Sequence, residues 1–303
     1  MSRSLIGNSK QAASRRDILK KGMALGAMTA AATLGSNTGR EAAASERYRK
    51  RHNERHKRRF TLPKWVDLRN VGSPGKNYIT AIQNQDAYGA CNSCTAFAVV
   101  ATVEGSYNWQ KNQPIPTSGT TPALSEAELF FCANLSGGCN CRAWYPEQAL
   151  AFCFNPGLTD RSNNDGSQMV CKSPTSTWNW TTITGIQRLK DANDMKKWIS
   201  GASGPGGPVI AVMIEYQDLR TWNYGATPYT PSAGTWASPN RVVGGHVVSI
   251  VGYDDRGATP FWICKNSWGT AWNGDGYFNV LQENPGHPIT YINSFDMLGV
   301  VVA

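Results

Sequence analysis

The chain has 303 residues, 41% of them hydrophobic and 17% charged, a balance that supports a large buried core and excludes intrinsic disorder of its bulk. The net charge of +9 is concentrated at the start: residues 1–44 hold seven Lys and Arg and residues 45–59 hold eight, leaving 15 basic and 17 acidic residues from position 60 onward. The globular part therefore lacks the basic footprint of a nucleic-acid binder, and no apolar run of about eighteen residues marks a membrane span.

The first element is a leader. Residues 14–20 read SRRDILK, which resembles the twin-arginine export motif. A weakly apolar stretch from Gly22 to Leu34 follows, and Ala42, Ala43 and Ala44 supply small residues for cleavage. Charged, apolar and small-residue regions in that order are those of a removable signal. Residues 1–44 are thus expected to be a bacterial signal peptide read by the twin-arginine export machinery, delivering the mature protein to the periplasm or the medium. Residues 45–59 form a charge run without apolar periodicity, expected to be a disordered basic arm. His52 and His56 have a helical ligand spacing, but eight neighbouring cations oppose a metal there, so none is expected.

From Leu62 the composition becomes globular, and residues 60–303 are expected to form the folded domain. Thr95–Gly105 has the pattern of a buried helix, whereas Val209–Ile214, Val247–Tyr253 and Phe261–Lys265 are short β-branched or aromatic runs. Helices early and strands late indicate an α+β architecture. Cys91 and Cys94 stand just before the helix. A cysteine at a helix N-terminus has its thiolate stabilised by unpaired backbone N–H groups and the helix dipole, which makes Cys94 a candidate nucleophile. The same Cys-x-x-Cys pair also fits a redox motif or half of a zinc site. For zinc the second pair is missing, because Cys139 and Cys141 make only Cys-x-Cys.

Four further blocks surround that pair. Gln83, Asn84 and Gln85 precede it. Leu124, Ser125, Glu126, Glu128, Leu129 and Cys132 are followed by Gly138, Cys139 and Asn140. Gly245 and His246 lead into Val251, Gly252 and Tyr253, and Lys265, Asn266, Ser267, Trp268, Gly269 and Thr270 continue to Trp272, Gly276 and Tyr277. In this order the blocks resemble the papain family of cysteine peptidases, from near Pro63 almost to the end of the chain.

The resemblance implies a two-lobed fold, with a mainly helical lobe over roughly 60–180, a β-barrel-like lobe over roughly 181–303 and the site in the cleft between them. It implies a peptide or protein substrate and no cofactor. Cys94 is the implied nucleophile, His246 its acid and base, Asn266 the residue that orients the imidazole, Gln85 an oxyanion donor and Trp268 a shield over the Asn–His contact. It also implies disulfides Cys91–Cys139 and Cys132–Cys171, leaving Cys141 and Cys153 as an expected third pair and Cys264 as a buried strand thiol. Departures lie in the longer loop Asp86–Ala90 and in Cys141 and Arg142, which replace two glycines of the cleft wall. Two other classes stay open at this level: a papain-fold binding module without turnover, and a Cys-x-x-Cys oxidoreductase.

Overall fold

The computed structural model describes residues 61–89, 92–115, 123–133, 144–172, 175, 180–232, 240–282 and 297–303. Residues Phe60–Ala303 form one compact unit. The expected signal peptide and basic arm lie outside the described residues, as do Cys91, Cys139, Cys141 and Arg142.

The first long helix, α1, spans Cys94–Gln110. Apolar or small residues surround it on nearly every side, so it is buried on nearly every side instead of floating one face in water. Gly105 lets it approach the loop at Pro208: a Cβ there would stand 2.6 Å from Pro208 Cγ. Two shorter helices follow, α2 at Pro146–Phe154 and α3 at Ala192–Ile199. Asp191 caps α3, its side chain accepting a hydrogen bond from Asp194 N at 2.8 Å.

Strand β1 is Trp65–Asp67, and β2 (Leu158–Thr159) pairs with β3 (Trp180–Thr181) as a separate ribbon. The main sheet is built from β4 (Ile183–Leu189), β5 (Val209–Tyr216), β6 (Pro228–Tyr229), β7 (Val242–Asp254), β8 (Phe261–Lys265), β9 (Tyr277–Leu281) and β10 (Met297–Val302). Its order is β4-β10-β5-β7-β8-β9-β6, with β1 paired to the far end of β7. Among the described residues the path does not close on itself, so the expected barrel-like lobe is an open sheet there. Neighbours are antiparallel except β6 and β9. Val247–Tyr253 is buried without interruption, not on alternate residues, because α1 packs against β7.

Two apolar clusters hold the unit together. One gathers Trp198, Tyr229, Tyr253, Trp262 and Phe278. The other gathers Phe97, Val100, Val103, Leu129, Phe130 and Leu150 around α1. Each large aromatic removes on the order of 200 Å² from water, about 5 kcal/mol of transfer free energy before ordering costs. Late strands feed both clusters: Met297 lies in the first, and Leu298, Val300 and Val302 in the second. Gln110 at the end of α1 seals this junction, donating to Val300 O at 2.7 Å and accepting from Val302 N at 3.0 Å.

Cys132 and Cys171, 39 residues apart, are joined by a disulfide. The expected Cys141–Cys153 bridge is corrected by the structure: Cys153 is a free thiol. It lies on the inward face of α2 with Ala149 and Leu150, fully buried, and its Sγ donates to Ala149 O at 3.5 Å. Twelve residues of separation allow a bridge, but the helix turns this side chain into the core, where the thiol packs as a small apolar group. Among the described residues, no helix is long and apolar enough to cross a membrane.

Candidate active site

Cys94 is the first residue of α1, 8% exposed. His246 enters from β7, where it pairs with Met213 of β5. Asn266 and Trp268 follow the end of β8. The segment before the cysteine is stitched to this last loop: Gln85 N donates to Ser267 O at 2.7 Å, Gly269 N donates to Gln83 O at 3.1 Å, and Asn84 bridges Trp268. All five residues singled out as site residues therefore meet in one place.

The thiol of Cys94 and the imidazole of His246 interact, each acting on the other's protonation. His246 Nε2 lies 2.8 Å from Asn266 Oδ1, which also accepts from Ser267 N at 2.8 Å. An amide oxygen can only accept, so Nε2 carries a proton and Nδ1 is left to exchange one with sulfur. Burial pushes the Cys94 thiol up, but the hydrogen bond and charge of His246 and a backbone hydrogen bond from Val247 outweigh it, and the thiol is held below its ordinary value. For His246 burial acts downward, and its contacts with Cys94, the charge of Glu215 and the Asn266 hydrogen bond hold the imidazole above its ordinary value. Both displacements favour a thiolate–imidazolium pair.

Trp268 stacks on His246 with ring centroids 4.7 Å apart and planes at 29°. Trp272 meets it edge-on at 5.0 Å. The indole covers one face of the imidazole, and both His246 and Asn266 are buried. Gln85 is 5% exposed, and its Oε1 accepts from Ser267 Oγ at 2.6 Å. With the carbonyl engaged, the amide Nε2 is the group free to donate. The longer loop Asp86–Ala90 thus leaves Gln85 attached to the site, its first residues forming a 3₁₀ turn over Gln85–Tyr88.

Sequence reasoning missed three supports. Ser267 was visible only as a neighbour in the Asn266–Trp268 block. Behind Asn266, Lys265 Nζ donates to Thr80 Oγ1 at 2.8 Å, and Thr80 donates to Glu104 Oε2 at 2.5 Å. Burial pulls Lys265 down to about 8 and pushes Glu104 up to about 7. Glu126 beside them is held by Arg161 at 2.7 and 3.0 Å. Glu215 and Arg220, on the outer side, carry no local sequence signal.

Residues 62–293 match the family described as papain family cysteine protease. Cathepsin F of Mus musculus is 30% identical over 224 residues, covering 73% of this chain and 42% of that protein. Cathepsin J of the same species is 28% identical over 235 residues, covering 75% and 62%. The chain thus spans less than two thirds of the length of these curated relatives. Among solved structures, procathepsin B S9 from Trypanosoma congolense superposes with a TM-score of 0.63 at 20% identity, over 81% of this chain and 79% of that one, which speaks for the fold alone. With the family matched over most of its length, and a two-lobed α+β fold to go with it, this chain belongs to the papain family of cysteine proteases.

Proposed function

We propose that the protein is a cysteine peptidase acting on peptides or proteins through Cys94, His246, Asn266 and Gln85. The observation that carries this is the linked arrangement of thiol, imidazole and amide, with His246 Nε2 fixed on Asn266 Oδ1 at 2.8 Å. Cys94 Sγ attacks the scissile carbonyl carbon, and the imidazolium of His246 gives its proton to the departing amine. Water, deprotonated by the now neutral imidazole, then cleaves the thioester and restores the thiol. Gln85 Nε2 and the backbone N–H of Cys94 donate to the oxyanion at both stages.

The test is peptide-library digestion by the full chain, with Cys94→Ser and His246→Ala as controls. Each variant should lose turnover by several orders of magnitude, since nucleophile and base act as a unit. Near-wild-type cleavage by either variant removes the mechanism. Labelling of Cys94 by a thiol reagent without any peptide turnover would instead indicate a binding module.

Export forms the second part of the proposal. The SRRDILK leader and the Cys132–Cys171 disulfide both suit a bacterial protein that leaves the cytoplasm by the twin-arginine route and works in an oxidising compartment. A Cys91–Cys139 disulfide belongs to the same reading. Replacing Arg15 and Arg16 together by Lys should retain the protein in the cytoplasm, and unchanged secretion would point to another route.

A further inference from the structure

One charged side chain outside the mechanism touches three of its supports. Arg220 lies in the 3₁₀ turn Gln217–Thr221 that follows β5, and its backbone oxygen accepts from Trp272 Nε1 at 3.1 Å. Its guanidinium carbon stands 4.0 Å from the centroid of Trp268, the indole that stacks on His246. Its Nε is 3.0 Å from Glu215 Oε1, and its Nη1 is 3.6 Å from Asp86 Oδ1, in the turn that begins at Gln85. Glu215 is two residues from Met213, the partner of His246 across the β5–β7 pair, so Glu215 and His246 share one face of the sheet.

We propose that Arg220 is a positioning residue of this site, pressing the Trp268 indole onto His246 from outside and cancelling the Glu215 carboxylate that faces the Cys94–His246 pair. It thereby sets the pH range over which that pair is charged. The inference rests on the cysteine-peptidase reading of the site. A guanidinium is suited to this place because its plane stacks on an indole while its edge binds carboxylates; an ammonium is drawn to the ring face but has no plane to stack on it.

The charges around the pair give the sign. On the outer side stand Glu215, Asp86 and Arg220; behind Asn266 stand Lys265, Glu104, Glu126 and Arg161. The Glu215 carboxylate acts upward on both Cys94 and His246. Losing the Arg220 cation removes a charge that favours thiolate and also unmasks Glu215. Both effects make the thiolate harder to form and the imidazolium harder to lose, so they add.

The experiment reads the rate at which iodoacetamide alkylates Cys94 in the full chain, located by peptide mapping, as a function of pH. This needs no peptide turnover. In Arg220→Gln the rise in rate should move to higher pH, and in Glu215→Gln it should move to lower pH. Arg220→Lys keeps the charge and should return the rise close to the native position. Removing both charges in Arg220→Gln with Glu215→Gln should do the same. Because Lys lacks the stacking plane, Arg220→Lys should still lose about two- to fivefold in peptide kcat/KM. An unmoved or oppositely moved profile in a natively folded Arg220→Gln overturns the proposal, as does an Arg220→Lys profile no closer to native than that of Gln. If Arg220→Gln does not fold, Glu215→Gln decides alone, and an unmoved profile there is equally fatal. A native chain whose Cys94 alkylates with these shifts but cleaves no peptide sinks the peptidase reading and leaves the role of Arg220 standing.

Discussion

Ser267→Ala isolates a contact that acts on catalysis only through another residue. The hydroxyl donates at 2.6 Å to Gln85 Oε1, and both side chains are buried, at 6% and 5% exposure. Its removal leaves a buried acceptor without its donor, which costs about 1–3 kcal/mol. It also frees the amide to rotate and present oxygen where nitrogen should face the oxyanion. Deleting an oxyanion donor outright costs about 10²–10³ in kcat, which is the ceiling, set by Gln85→Ala. Ser267→Ala should fall below it, at about tenfold in kcat with little change in KM, since the oxyanion exists only in the transition state. Steady-state kinetics on a fluorogenic peptide supplies the numbers, and Cys94 alkylation should be unaltered because thiolate formation does not involve Gln85. In the double variant the two losses should not add: once Gln85 is gone, Ser267 has nothing to orient. Additive losses, or a silent Ser267→Ala, would refute the claim that this hydroxyl holds the donor.

Three further outcomes follow from the geometry. Lys265→Met should destabilise by roughly 3–5 kcal/mol in urea unfolding because it strands Glu104, while Lys265→Met with Glu104→Gln should recover most of that loss; a double variant as weak as the sum of both singles would show no coupling. Peptide kcat/KM should be bell-shaped, with the Cys94 limb displaced below the ordinary thiol value of 9.0 and the His246 limb displaced above 6.5; limbs at the ordinary values would mean that no thiolate–imidazolium pair forms. Non-reducing peptide mapping should return Cys132–Cys171 as a cross-link and Cys153 as a thiol, and Cys132→Ala with Cys171→Ala should cost about 4 kcal/mol by loop entropy. A cross-linked Cys153 would contradict the inward packing of α2.

The residues that meet at the candidate site were legible because several of them are also neighbours in sequence. Asn266, Ser267 and Trp268 are consecutive, and Gln85 stands a short loop ahead of Cys94. The helix over Thr95–Gly105 was legible as well, although it runs on to Gln110, since Ser106 and Asn108 are polar yet buried. What escaped was direction and long-range pairing. Cys153 is near Cys141 along the chain but turns inward on α2, which depends on what the helix packs against. Glu104, Lys265 and Thr80 lie far apart in sequence, and nothing local links them until the fold brings them together. Arg220 and Glu215 are linked by a strand ending in a 3₁₀ turn, a geometry with no periodicity to read.

The position of β10 has a consequence for biosynthesis. This strand, late in the chain, lies between β4 and β5, two elements made more than eighty residues earlier, and it lends side chains to both apolar clusters. While the ribosome is still extending the chain towards Met297, β4 and β5 have no common neighbour, and Gln110 lacks both of its backbone partners on β10. The domain therefore cannot complete its fold until β10 has been made and is free to pair. A nascent chain stalled at residue 296 should be digested by added protease across the whole domain, whereas a chain in which Met297–Val302 is free to pair should gain protection in a single step.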